Sequence, residues 1–80
     1  MDLNLEFMQS VFADSLELSA DVSESLTLES MFEEVEGWDS LGHMRIIMEM
    51  ENRLDVEFDI DEVIGVDTIQ KLIQMAKDKS

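Results

Sequence analysis

Eighty residues suffice for one domain, residues 1–80, with a thin core, and the absence of cysteine removes disulfides and thiolate metal sites as supports. A net charge of −15 and the lack of any apolar run of about 18 residues exclude nucleic acid, anionic membrane surfaces and membrane insertion as expected partners. Residues 1–40 hold eleven acids and no Lys or Arg. Charge therefore steers the chain toward basic protein surfaces, unless the acidity serves solubility alone. The N-terminus carries Asp2 and Glu6 without a basic residue, unlike a targeting segment, so a cytoplasmic location is expected. Disorder is opposed by a 45% hydrophobic content that falls at helical spacing.

Residues 3–18 read as the first helix. Leu3, Phe7 and Val11 form one stripe, Leu5, Met8, Phe12 and Leu16 the adjoining one, and Glu6, Gln9, Ser10, Ala13 and Glu17 fall opposite. Residues 19–38 form a long connection rich in Ser and Glu, yet too apolar at Leu26, Leu28, Met31, Phe32, Val35 and Trp38 for a free linker. Within it, Glu29–Glu36 is predicted to make a turn or two of helix, stopped by Gly37.

The second long helix is predicted over Ser40–Leu54 with Asp39 as N-cap. Leu41, Met44, Ile47, Met48 and Leu54 are its expected inner face, widened by Ile46 and Met50. Gly42, Arg45, Glu49, Asn52 and Arg53 cluster opposite. A short loop over 55–59 should turn Val56 and Phe58 inward, and Asp61–Ile64 suggests one helical turn ended by Gly65. The last helix starts at Asp67-Thr68-Ile69-Gln70, which has the form of a capping box with Gln70 reaching back. Ile69, Leu72, Ile73 and Ala76 are its apolar stripe, and Lys71, Lys77 and Lys79 suit the negative end of its dipole. The sum is an all-α fold: a small four-helix bundle, with three principal helices, one short helix and a long first loop.

Metal binding is the first chemistry that an acidic chain invites. A calcium loop needs a glycine at its sixth position and a glutamate at its twelfth. Starting at Asp55, those positions are Ile60 and Val66; starting at Asp21, the twelfth is Phe32. Both fail, and no metal ligand set is expected. Ser40 and His43 lie three apart on one helix, like a nucleophile and its base. The nucleophile elbow, however, needs glycine two residues before the serine, where Trp38 stands, although Gly42 fits two residues after it. A bundle of this size also has little room for a substrate pocket, so His43 reads as a packed or half-exposed residue and no catalytic residue is assigned. Trp38 reads as a staple that fixes the angle at which the loop joins the helix. The seven methionines read as soft core fillers.

Ser40 remains, behind an aspartate cap and before Leu41. By itself Asp-Ser-Leu is ordinary helix punctuation. In its context, from about Phe32 to Ile73, the segment resembles the attachment region of the acyl carrier protein family. There too a short bundle has a long first loop and Asp-Ser-Leu at the start of its second long helix. The apolar helix after Leu41, the Leu54-Asp55-Val56-Glu57-Phe58 exit, the small helix before Val66 and the capped last helix extend the likeness. The first helix matches only in length, placement and amphipathicity.

The resemblance implies that Ser40 takes a covalent 4′-phosphopantetheine from coenzyme A by way of a phosphopantetheinyl transferase. Asp39 would cap the helix and help place the transferase's magnesium, and Leu41 would anchor the first turn near the arm. The chain would then be a monomeric carrier, not an enzyme, holding acyl groups as thioesters for loading ligases or transferases and downstream biosynthetic enzymes. Aminoacyl or peptidyl cargo is the alternative, and an unmodified acidic adaptor for a basic protein is the other. The expected partner-reading face is Gly42, Arg45, Glu49 and Arg53, with acid retained at Glu51, Glu57, Asp61 and Glu62. That mixed charge differs from the acidic face of general fatty-acid carriers. It implies a stand-alone carrier of a specialised pathway such as polyketide, nonribosomal peptide or modified-sugar assembly.

Overall fold

The computed structural model describes residues 3–79. Met1, Asp2 and Ser80 lie outside the described residues, so the expectation drawn from Asp2 has no structural counterpart. Among the described residues the chain is all helical: α1 (Leu5–Leu16), α2 (Ala20–Glu24), α3 (Ser40–Leu54), α4 (Ile60–Ile64) and α5 (Ile69–Lys79). The small all-α bundle predicted from sequence is the observed fold, with one short helix more than expected.

Local chemistry explains most helix ends. Asn4 Oδ1 accepts from the Phe7 N–H at 3.0 Å and starts α1, and Glu17 closes it in the left-handed conformation at φ 55°. These ends fall two residues inside the predicted 3–18. Ser19 caps α2 through the Val22 N–H at 3.3 Å. That short helix lies at Ala20–Glu24, whereas the predicted turn of helix at 29–36 is a run of turns. The physical reason is that the backbone there bonds outward. Ser30 and Leu28 carbonyls accept from the Ile69 and Gln70 N–H groups at 3.2 and 2.9 Å, and the Phe32 N–H donates to the Asp67 carbonyl at 2.8 Å.

The connection thereby serves as the N-terminal cap of α5, whose first N–H groups have no intrahelical partner. The side-chain cap is Thr68, which accepts from the Lys71 N–H at 3.2 Å. Gln70 does not reach back as the capping-box reading had it: it is exposed, because the helix starts one residue later than that reading required. Asp67 pairs with Lys71 instead, at 2.9 Å, and the ammonium holds its carboxyl below the usual carboxylate range.

The core is built on α1. Met8, Val11 and Phe12 are fully buried and meet Ile46, Ile47 and Met50 of α3 and Ile69, Leu72, Ile73, Met75 and Ala76 of α5. Leu26, Val35 and Trp38 of the connection complete it, while Val56 and Phe58 are half-buried, as their inward placement in sequence suggested. Each such large apolar side chain contributes about 1.5–3 kcal/mol when fully buried. Gln9 donates to the Glu24 and Leu26 carbonyls at 3.3 and 3.0 Å, tying α1 to the segment that crosses over it.

The rotation of α3 about its axis differs from expectation. Its buried residues are Gly42, His43, Ile46, Ile47 and Met50, while Leu41 and Met48 are 65% and 60% exposed and Met44 is also exposed. The buried stripe is turned by about a third of a helical turn from the predicted one. The cause is Gly42. A Cβ on it would overlap the carbonyl oxygen of Gly37 and lie 2.9 Å from Leu16 Cδ2, so the helix backbone itself lies against the connection and α1. Gly37 has φ 87°, which brings its carbonyl there without side-chain strain. Gly42, placed on the polar face by its neighbours in sequence, is therefore an interior residue.

Gly42→Ala should lower stability by about 3 kcal/mol, because the clash is with backbone and cannot be relieved by a rotamer change. A urea melt of the variant would show the loss as a lower midpoint, and an unchanged midpoint would refute the close approach.

Candidate functional site

Asp39 and Ser40 stand where the connection becomes α3. Asp39 Oδ1 accepts from the Gly42 N–H at 2.8 Å, and its backbone carbonyl accepts from the His43 N–H at 2.7 Å, so the predicted N-cap is the observed one. Ser40 is the first helical residue and is exposed to solvent. Its hydroxyl therefore projects from a fixed backbone position at the positive end of a fifteen-residue helix.

The residue before the cap is buried. Trp38, 2% exposed, packs edge-on to Phe12 with ring centroids 4.8 Å apart and tilts against Phe32 at 5.7 Å. Its indole N–H donates to His43 Nδ1 at 2.8 Å, and His43 Nε2 lies 2.9 Å from the Val63 carbonyl. An indole nitrogen only donates and a carbonyl only accepts, so the two bonds define a neutral imidazole with its proton on Nε2. His43 is a packed residue, as the sequence suggested, but with both ring nitrogens spent. It has none to offer Ser40 as a base.

The link to Trp38 was not read from the sequence. A signal for it existed: a buried indole N–H needs an acceptor, and His43 is the next neutral polar side chain that α3 turns inward.

Leu41 does not anchor the first turn. With Met44 and Met48 it makes an exposed apolar strip at i, i+3, i+7 spacing, beginning one residue after Ser40. The expected partner-reading face is divided by the structure. Arg45 is exposed. Gly42 is buried. Arg53 is half-buried and turned to α1: its guanidinium pairs with Asp14, donates to Glu49 Oε2 at 2.8 Å and to Ser10 Oγ at 3.0 Å, and lies 6.0 Å from the Phe7 ring centroid. The hydrogen-bonded Glu49 carboxylate, with Asp14, raises the Arg53 pKa. Arg53, braced by Glu49 of its own helix, thus ties α3 to α1, because Arg53 lies on the border of the buried stripe once α3 is turned.

A cleft of about 240 Å³ opens beside this region, lined by Met31, Phe32, Glu33, His43, Ile64, Val66 and Asp67. No group of three or more His, Asp or Glu among the described residues is placed to hold a metal ion, and no described helix is long and apolar enough to cross a membrane.

No curated protein matches the chain. A family model does: the phosphopantetheine attachment site matches residues 6–76, from the first turn of α1 to the last turns of α5. A helical bundle that offers a solvent-facing serine at a capped helix start, matched along nearly its whole length, belongs to the phosphopantetheine-binding carrier family, whose domains bear 4′-phosphopantetheine covalently on a serine.

Proposed function

We propose that residues 1–80 act as one acyl carrier domain of a specialised biosynthetic pathway, with Ser40 as the attachment serine. The observation that carries this reading is the exposed Ser40 at the first position of the capped helix α3, inside the family match. The residues present suit the prosthetic group. An exposed hydroxyl can enter a transferase's active site, and the dipole of α3 favours a phosphodiester there. When attached, 4′-phosphopantetheine supplies the thiol that this cysteine-free chain lacks.

The chain's own residues hold and present; they do not catalyse. Asp39 keeps the helix terminus in place and, by resemblance, helps position the transferase's magnesium. Leu41, Met44 and Met48, with Arg45 beside them, form the docking strip for the transferase and for the loading and downstream enzymes. Exposed apolar side chains grouped in this way are what partner surfaces bury. The reading face is thus apolar with one cation, replacing the Gly42–Arg45–Glu49–Arg53 set.

Ser40→Ala should abolish phosphopantetheine attachment, read by intact mass after incubation with a broad-specificity transferase and coenzyme A. Its melting curve should match wild type, because a hydroxyl exposed at the first helical position contributes little to stability. Attachment to the variant would overturn the assignment.

Asp39→Asn separates capping from charge. Asparagine caps about as well as aspartate, so stability should stay within about 0.5 kcal/mol, whereas Asp39→Ala should lose about 1 kcal/mol. Attachment should slow in both variants. Wild-type rates in the Asn variant would limit Asp39 to capping.

Cargo class is tested by loading. Since an apolar cavity of about 150 Å³ in another protein is enough to hold benzene, the 240 Å³ cleft has room for about ten non-hydrogen atoms. Acetyl, hexanoyl and octanoyl forms should melt at successively higher temperatures, with each buried methylene contributing up to ~0.8 kcal/mol. A flat series would favour aminoacyl cargo, whose ammonium group resists burial without a partner.

A further inference from the structure

The short helix α4 is weakly held. Five residues are too few for a stable helix alone, and Asp59 at its N-cap makes no side-chain capping bond. Val63 is its one buried residue, while Ile60 and Ile64 are 61% and 75% exposed. Polar ties add to Val63: Lys79 Nζ lies 3.0 Å from Glu62 Oε1 and 3.9 Å from Asp59 Oδ2, on the surface, and His43 Nε2–H donates to the Val63 carbonyl at 2.9 Å, in the interior.

His43 sits three residues after Ser40, about 4.5 Å along the axis of α3. Its ring stacks on Trp38 at 6.0 Å and 23° and meets Phe32 edge-on at 5.9 Å. Only one neutral tautomer satisfies both the Trp38 donor and the Val63 acceptor. A buried polar group with both bonds made is rigid: loss of the first strands the Trp38 indole N–H away from water, and loss of the second leaves the Val63 carbonyl with the Val66 N–H at 3.4 Å but unties it from α3. Trp38 in turn precedes the cap of Ser40's helix. One side chain therefore joins the segment that presents Ser40 to the helix that walls the adjoining cleft.

We propose that His43 is a positioning residue: it fixes α4 against the segment that carries Ser40, so that the exposed side chains of α3 and α4 meet partner enzymes as one preset surface. The docking half of this inference rests on the carrier reading; the strut itself does not. If α4 were free, Ile60 and Ile64 would have to be ordered at each encounter, and affinity would fall while the chemistry at Ser40 stayed the same.

The test uses His43→Phe, which keeps the ring packing and loses both bonds, and His43→Gln, whose carbonyl and amide can accept and donate in their place. In the wild-type chain, nitrogen-15 spectra should show the Nε2–H tautomer. In His43→Phe, the Trp38 indole N–H signal should move and the α4 amides should exchange about tenfold faster, while α1, α3 and α5 amides stay protected. With a broad-specificity phosphopantetheinyl transferase and coenzyme A, KM for this variant should rise about tenfold with kcat within about twofold, and His43→Gln should recover part of the loss. Wild-type α4 exchange and KM in His43→Phe would overturn the proposal. If His43→Phe fails to fold, His43→Gln and the wild-type spectrum decide: an Nδ1–H tautomer, or a Gln variant with unprotected α4 and no recovery of KM, overturns it. A wild-type chain that takes no phosphopantetheine overturns the carrier reading and the docking half with it, while the exchange measurement still decides the strut.

Discussion

The backbone of α3 lies against the carbonyl of Gly37 and the side chain of Leu16 at a point where only glycine fits, and much of the molecule follows from that approach. It sets the rotation of α3 about its own axis. With Gly42 turned inward, His43, Ile46, Ile47 and Met50 must follow, and Leu41, Met44 and Met48 must face solvent. It also sets where the connection ends, so that Trp38 enters the core beside Phe12 and Asp39 reaches the N–H of Gly42, one of the free donors of the first turn. Ser40 is displayed between two buried residues, Trp38 before the cap and Gly42 in the first turn.

The second organising element is the connection between α2 and α3. It has no regular structure over most of its length, yet it buries Leu26, Val35 and Trp38 and supplies the carbonyls that satisfy the start of α5. A segment with such obligations cannot act as a tether. Its acids lie outside: Glu29, Glu33, Glu34 and Glu36 are all exposed. The few cations are largely consumed internally, Arg53 by Asp14 and Glu49, Lys71 by Asp67 and Lys79 by Glu62. The Lys71 and Lys79 pairs are well hydrated and add little to stability, whereas the half-buried Arg53 ties α3 to α1. Their further effect is to leave Arg45 as a distinct positive feature on a negative surface, next to the apolar strip and close to Ser40.

Ser40 and His43 show how similar placements differ in chemistry. Both lie in the first turns of α3. The serine is exposed and has the freedom to be modified by another protein. The histidine is buried, and its two nitrogens are committed to Trp38 and Val63. His43 therefore has no free nitrogen to offer Ser40. This accords with the carrier family, whose domains generally leave catalysis to their partners.

The sequence by itself determined the helices with strong periodicity and the cap at Asp39. It also determined the bundle class and the segment resembling a phosphopantetheine attachment region, because spacing and capping chemistry act between near neighbours in the chain. It placed Val56 and Phe58 inward for the same reason. The rotation of α3, the burial of Gly42, the engagement of Arg53 with α1, the bond of His43 to Val63 and the role of residues 28–32 as a cap for α5 were decided by the tertiary structure. Apolar periodicity weighs each residue by its own side chain, and on that scale Met44 and Met48 outrank a glycine. What fixed the face of α3 was the room available for its backbone against Gly37 and Leu16, and that room exists only once the connection and α1 have come together.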